Sequence, residues 1–382
     1  MEILFACCAG LDVHKRTVVV CIRRLGPGGR VEVLVRTFGT MTADLLELAD
    51  WLAAAGVTHV SMESTGVYWK PVYHLLDGRF ALLLVNARHV KNLPGRKTDV
   101  KDAAWIAQLL QHGLLAPSFI PPPPVRALRD LTRQRAQLVR DRATVVNRIH
   151  KVLEEANVKL ASVATDVLGK SGRDMIAGLI AGETDPAALA ERARGRLRAK
   201  RPALRRALQG RVTDHHRFQL RLLLKQEEQL EGLIAEYAAR VEELMAPFAE
   251  AAARLRRIPG VGHQAAEVIV AEIGTDMSRF PSAGHLASWA GLCPGNDQTA
   301  GKRRSGTTTK GSRWLRSMLV QVAWAASRTK GTIFPVLYRR WSKRLGVKKA
   351  LVAVGHKVLT VIYAMLKDQT DYRERWSPGQ AA

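Results

Sequence analysis

Two sets of residues in this 382-residue chain have types and spacings suited to chemistry. The first lies in residues 293–311, CPGNDQTAGKRRSGTTTKG, a loop by composition, with four glycines, one proline and no apolar periodicity. Five hydroxyl side chains (Thr299, Ser305, Thr307, Thr308 and Thr309) stand there among four cations, Lys302, Arg303, Arg304 and Lys310. Hydroxyls beside clustered cations suit attack on a phosphate, because the cations offset charge developing on the phosphoryl oxygens. A solvated basic loop that only grips backbone phosphates would have the same composition.

The second set is acidic: Asp12, Glu63, Asp99 and Asp102. Asp12 and Glu63 each close a short apolar run. Asp99 and Asp102 lie three apart at the start of a helical pattern, so their carboxylates share a face. Four converging carboxylates would repel one another without cations between them. Hard oxygen donors of this kind suit Mg²⁺, with Mn²⁺ as a substitute, and paired ions of that type handle scissile phosphodiesters. Taken singly, each acid has a plainer use: Asp99 as a helix N-cap, Asp102 as a first-turn charge, Glu63 as a solvated strand end.

Positioning these acids requires a sheet. Residues 3–11, 17–22, 31–38, 59–62 and 81–85 read as strands, with a turn at Gly26-Pro-Gly-Gly29. Residues 42–55, 67–76 and 99–112 read as helices, the last with Ala103, Ile106, Ala107 and Leu110 on one face. Strands and helices mixed in that order call for a sheet covered by helices.

Three segments here, GLDVHK at 10–15, MESTGVYW at 62–69 and KTDVKDA at 97–103, closely resemble the blocks of one transposase family. It is the insertion-sequence family numbered one-ten, with its Piv-type DNA invertase relatives. The resemblance implies an N-terminal α/β domain of RuvC-like (RNase H-like) fold with a D-E-D-D tetrad, which falls on Asp12, Glu63, Asp99 and Asp102. Metal ligation by all four is part of what it implies.

Beyond this region, Pro121–Pro124 reads as a stiff hinge or linker, since proline cannot sit inside a helix. Leu128, Leu131, Leu138, Val145, Ile149 and Val152 then recur at near-heptad steps in an arginine-rich helix. Leu223, Leu230, Ile234, Tyr237, Val241 and Leu244 repeat the pattern later. Such helices can pair with each other or with another subunit. Residues 194–211 between them are strongly basic and read as a phosphate contact or a solvated face. The resemblance implies a coiled coil here that serves oligomerisation.

RRIPGVG at 256–262 leads into a helix at 265–273, and a Gly-Val-Gly turn opening a helix presents free backbone N–H groups to a phosphate. Gly260 and Gly262 are therefore candidate nucleic-acid contacts, with Lys302, Arg303, Arg304, Lys310 and Arg313. Phe280, Leu286, Trp289 and Leu292 read as helical core, and residues 314–328 and 348–366 as helices. GLCPGN at 291–296, AGKRRSG at 300–306 and KGSRWLR at 310–316 resemble the family's mostly α C-terminal transposase domain. That domain supplies a serine nucleophile just before the Ala/Gly-Gly-Lys segment, and the matching residue here is Thr299. Threonine keeps the hydroxyl but is β-branched and more hindered. The substitution leaves three readings: a threonine nucleophile, Ser305 acting instead, or a weakened enzyme.

The whole-chain balance agrees with a polyanion partner: Lys+Arg total 59 against 34 Asp+Glu, a formal net charge of +25. Four scattered cysteines support neither structural zinc nor secretion, and no apolar run reaches transmembrane length, which reads as a cytoplasmic protein without a membrane partner. The expected organisation is a RuvC-like catalytic domain over 1–118, a proline linker and coiled-coil region over 119–252, and the transposase domain over 253–382. The resemblance implies a site-specific DNA recombinase that acts on double-stranded DNA. It also implies guidance by a structured non-coding RNA and work as a homodimer or homotetramer. A metal-dependent junction-resolving-type nuclease and a catalytically weakened nucleic-acid-binding relative are the alternatives.

Overall fold

The computed structural model describes residues 2–64, 66–86, 102–295, 297–299, 302–305, 307–308 and 310–374, with the backbone alone described at 297–299 and 302–305. The chain divides into two compact units, Met1–Ile120 and Pro121–Ala382.

In the first unit, among the described residues, β1 (Cys7–Val13), β2 (Thr17–Leu25), β3 (Val31–Gly39), β4 (His59–Glu63) and β5 (Ala81–Val85) form one mixed sheet in the order β3-β2-β1-β4-β5. β1–β2 and β2–β3 are antiparallel, while β1–β4 and β4–β5 are parallel. The parallel pairings need crossovers, which α1 (Thr42–Ala54) and α2 (Trp69–Leu76) supply. Alternation then sorts the strands. Ala9, Leu11, Val18, Val20, Ile22, Val60 and Met62 share one buried cluster with Leu48 and Leu52 of α1 and Leu76 of α2. Cys8, Cys21 and Val85 face the other way, onto Ala103, Ile106, Ala107 and Leu110 of α3 (Asp102–Gln111). The arrangement is compatible with an RNase H-like domain. The first strand starts at Cys7, later than its apolar run predicts.

The second unit opens with α4 (Pro123–Glu155), and here the proline reading needs correction. Pro122 is the N-cap and Pro123 begins the helix, because a first-turn proline lacks only an N–H that the helix does not use. α4 packs along α8 (Asp214–Met245). Arg142 meets Glu227, and Val152 lies near Gln219 and Leu222, so the two helices run antiparallel within one chain. The predicted stripe of α4 is buried at Leu128, Leu138, Val145, Ile149 and Val152, whereas that of α8 is fully buried only at Val241.

Between them, α5 (Lys170–Ile180), α6 (Pro186–Glu191) and α7 (Arg201–Ala207) form a small packed module. Leu160, Val167, Met175, Ile176, Leu179, Leu189 and Leu204 share a core with Val145, Ile149 and Val152. Several cations of the basic segment are turned to structural use. Arg194 pairs with Asp174 at 2.6 Å, and Arg201 and Arg205 both pair with Glu191.

The remaining described helices are α9 (Ala249–Leu255), α10 (His263–Ile273), α11 (Ala283–Trp289), α12 (Arg313–Ala326), α13 (Ile333–Leu345) and α14 (Val347–Asp368). Phe280 and Leu292 are buried on either side of α11, not within a helix, and α13 lies outside the helices expected from the sequence. α14 is long and apolar enough to cross a membrane by length and composition alone, although Lys357 interrupts its apolar run. Its Ala350, Leu351, Val354, Val358, Leu359 and Ile362 instead line the helical core.

Candidate active site

The acidic set is built by sheet register. β1 and β4 are parallel neighbours with Leu11 opposite Met62, which brings Asp12 and Glu63 to the same level at the ends of adjacent strands. Leu11 and Met62 point to the α1–α2 core, so the next residue on each strand points to the α3 face. α3 reaches that face closely because of Gly10. A Cβ there would fall 2.4 Å from the Ala103 carbonyl oxygen and 2.3 Å from the Ala107 nitrogen. Asp102, the first residue of α3, is thereby held near the strand ends that carry Asp12 and Glu63, and it is exposed. Asp12 and Glu63 are half-buried, and the Asp12 carboxylate contacts His14 Nε2 at 3.1 Å. Asp99 lies outside the described residues. Among the described residues no three acidic, imidazole or thiol groups already cluster as an ion-binding set.

The hydroxyl-rich stretch, a loop by composition, contains paired strands. β6 (Asp297–Thr299) and β7 (Lys302–Ser305) are antiparallel, with Thr299 opposite Lys302 and Asp297 opposite Ser305. The register shifts beside Asp297, where Gln298 pairs with Arg303 and Arg304 is the extra residue of a bulge. The ladder continues below: Pro294 bridges Thr308, and the Gly295 N–H donates to the Thr307 carbonyl at 2.9 Å. Further down, the two ends of the stretch touch. A Cβ on Gly311 would lie 2.3 Å from Gly291 N and 2.4 Å from the Trp289 carbonyl oxygen, so only glycine closes the base. Periodicity misses this hairpin because its strands are short and polar on both faces.

Beneath the hairpin lies a buried ionic network. Ser312 caps α12 and donates its hydroxyl to Glu272 Oε2 at 2.8 Å. The same carboxylate accepts two hydrogen bonds from Arg133, at 2.7 and 2.9 Å. Arg129 Nε donates at 3.1 Å to the Ala271 carbonyl, and burial pulls its guanidinium down to about 10. Buried Glu267 pairs with Arg135 at 2.6 Å, and farther along α4 buried Glu227 pairs with Arg142 at 2.6 Å. Four arginines of α4 thus point inward. Two acids inside the otherwise apolar AAEVIVAEI of α10 were the available sequence signal for this network.

The other candidate contacts divide. Gly260 has φ +86°, and its Cβ position lies 2.6 Å from Ala326 N and 2.7 Å from the Val322 carbonyl oxygen, so it serves packing against α12. Gly262 is the exposed N-cap of α10, with open space at its Cβ position. Lys310 and Arg313 are exposed. The guanidiniums of Arg313 and Arg140 stack on the Trp314 ring, at 4.8 and 4.6 Å from its centroid. For Thr299, Lys302, Arg303, Arg304 and Ser305 the structure gives the backbone positions described above.

Comparison with known proteins matches both regions. The profile of IS110-type DEDD transposases, described as Transposase, covers residues 9–158, and the profile described as Transposase IS116/IS110/IS902 family covers residues 252–339. The transposase for insertion sequence element IS1111A of Coxiella burnetii is 26% identical over 297 residues, 76% of this chain and 72% of that protein. A probable family 20 transposase of Pseudomonas aeruginosa is 26% identical over 325 residues, 82% of this chain and 85% of its own length. The pilin gene-inverting protein of Moraxella bovis is 32% identical over 127 residues, 32% of this chain and 39% of that one.

Proposed function

For a chain that belongs to the IS116/IS110/IS902 family of transposases, we propose a two-part, RNA-guided transesterification of DNA. The enzyme is a DNA transposase of an insertion element. In this reading residues 1–118 are the metal-dependent catalytic domain, 119–252 a coiled-coil region used in assembly, and 253–382 the domain that carries the nucleophile.

The observation that carries the reading is the shared level of Asp12 and Glu63 on parallel neighbouring strands, facing a helix that begins at Asp102. With Asp99, these are the residues that would hold Mg²⁺ or Mn²⁺. Their all-oxygen chemistry fits a hard divalent cation, which when bound polarises a phosphodiester. The Thr299 hydroxyl attacks the scissile phosphorus, loses its proton and displaces a deoxyribose oxygen, which is protonated as it leaves. The phosphodiester bond to DNA is exchanged for one to the protein, so its energy is kept for rejoining. Lys302, Arg303, Arg304 and Lys310 offset phosphate charge, and Ser305 donates a hydrogen bond to it. Arg313 and the exposed N-terminus of α10 at Gly262 add backbone contacts. A structured guide RNA selects the DNA by base pairing, and two or four subunits assemble on it.

The test is a covalent trap. Protein, element RNA, Mg²⁺ and labelled element-junction and target DNA are incubated, denatured and digested to peptides. A DNA-linked peptide bearing Thr299, absent from Thr299→Ala and Asp12→Asn, is the expected result. Linkage at Ser305 moves the nucleophile, whereas cleavage without any adduct replaces the mechanism with hydrolysis by a metal-dependent nuclease. Binding without strand breakage leaves a disabled relative.

A further inference from the structure

β3 is an edge strand, and it is unusually bare. Its outer side has no strand neighbour among the described residues. Side chains on both of its faces are open, with Val33, Leu34 and Val35 at 48%, 43% and 48% exposure. Long apolar edges invite pairing with another strand, and proteins that leave them unpaired usually blunt them with bulges, proline or charged side chains. β3 has no bulge and no proline: its register with β2 is unbroken from Val31 to Gly39, and its two charges, one acid and one base, are of opposite sign.

The order of those residues selects the partner. Around Leu34 the strand reads Val31-Glu32-Val33-Leu34-Val35-Arg36-Thr37. Laid antiparallel against its own copy with Leu34 on the two-fold axis, it places Leu34 opposite Leu34 and Val33 opposite Val35. Val31 meets Thr37, and Glu32 meets Arg36 twice. The pairs are apolar at Leu34 and Val33–Val35, oppositely charged at Glu32–Arg36 and β-branched at Val31–Thr37, combinations that suit an antiparallel ladder. A shift of two residues along either strand would lose both charge pairs. Within one chain Glu32 already accepts from Arg24 on β2 at 2.6 Å, and Arg36 pairs with Glu47 of α1. The second copy's Arg36 would therefore approach Glu32 from its open side, extending an alternating row of charges across the new junction.

We propose that β3 docks a second copy of this chain edge to edge, antiparallel about Leu34, and joins two five-stranded sheets into one of ten strands. A two-fold contact of this kind is isologous and closes after two subunits.

The experiment is register-specific disulfide trapping in the full-length protein. Cys8 and Cys21 are buried and Cys7 and Cys293 half-buried, so any cross-linking of the native thiols is read from the parent chain as the baseline. Leu34→Cys sits on the axis, within disulfide reach of its copy. Thr37→Cys is displaced from its copy by roughly 20 Å, at about 3.4 Å per residue. Mild oxidation is expected to link Leu34→Cys dimers and to leave Thr37→Cys at baseline. In the Leu34→Cys background, Glu32→Arg alone or Arg36→Glu alone sets like charges opposite each other twice and should lower the yield roughly ten-fold. Mixing those two variants restores both charge pairs and should restore the cross-link. Equal yields from Leu34→Cys and Thr37→Cys, or no recovery on mixing, would overturn the proposal. Because the readout is a cross-link and not strand transfer, its failure leaves the transposase reading standing.

Discussion

The hydroxyl of Ser312, one residue beyond the closed base of the hairpin, donates at 2.8 Å to the fully buried carboxylate of Glu272. Arg133 holds the same carboxylate through two guanidinium N–H groups, and Arg129 holds the adjacent backbone carbonyls. The hairpin is thus fastened to α10 and α4 through one acid. Glu272→Ala strands an arginine and a hydroxyl without their acceptor and should cost roughly 3–5 kcal/mol. Urea unfolding measures this; a loss below 1 kcal/mol by the same measurement would show that the network contributes little.

Gly10 sets the approach of α3 to β1. Gly10→Ala puts a methyl group where the Ala103 and Ala107 backbones stand, so α3 must move away from the strand ends. The expected cost is about 1–3 kcal/mol, the usual range for overpacking. Because Asp102 moves with the helix, DNA cleavage should fall further than the folded fraction does. Parallel unfolding and cleavage assays separate the two effects, and losses in equal proportion would argue against a positioning role.

Thr299 offers a direct comparison of side chains. Thr299→Ala removes the hydroxyl and should abolish the covalent adduct while leaving salt-sensitive DNA binding intact. Thr299→Ser keeps the hydroxyl, relieves the β-branch and should form the adduct at least as fast as the parent. An adduct that persists in the alanine variant would transfer the role to another hydroxyl.

His356 on α14 is half-buried, and desolvation, with Lys357 beside it, lowers its pKa below the ordinary 6.5. Its neutral form is favoured in the folded state, so folded and unfolded chains bind equal protons at that residue well above pH 6.5. Below 6.5 the unfolded chain takes up the proton first, and stability falls with pH until the folded pKa is passed. His356→Gln should flatten that part of the stability curve, as denaturant titrations between pH 7 and pH 5 would record. An unchanged slope would assign the acid sensitivity elsewhere.

Much of the first unit was legible in the sequence, because alternation and turn residues are local signals. Four strands and two helices fall within a few residues of their expected bounds, and Asp12 and Glu63 stand at strand ends. The hairpin was not legible. Asp297–Thr299 and Lys302–Ser305 are held by backbone pairing and by close contact at Gly311, and neither leaves an apolar period. The prolines misled for a related reason: their prohibition applies inside a helix, and here they begin one. The basic character of residues 194–211 suggested solvent or phosphate, yet Arg194 ends on the half-buried carboxylate of Asp174, and Arg133, Arg135 and Arg142 of the arginine-rich α4 end on buried carboxylates.

By itself the sequence determined the charge of +25, the order of strands and helices, the placement of acids at element ends and the family resemblance, all properties of single residues or short windows. The tertiary structure decided what lies beside what. Asp12 and Glu63 are separated by 50 intervening residues, and only the sheet order makes their strands neighbours. Glu272 and Arg133 are 139 residues apart, and a charge seeks its partner through space without marking the sequence between them. Periodicity records how a segment contacts its surroundings; it holds no address for the segment it will meet.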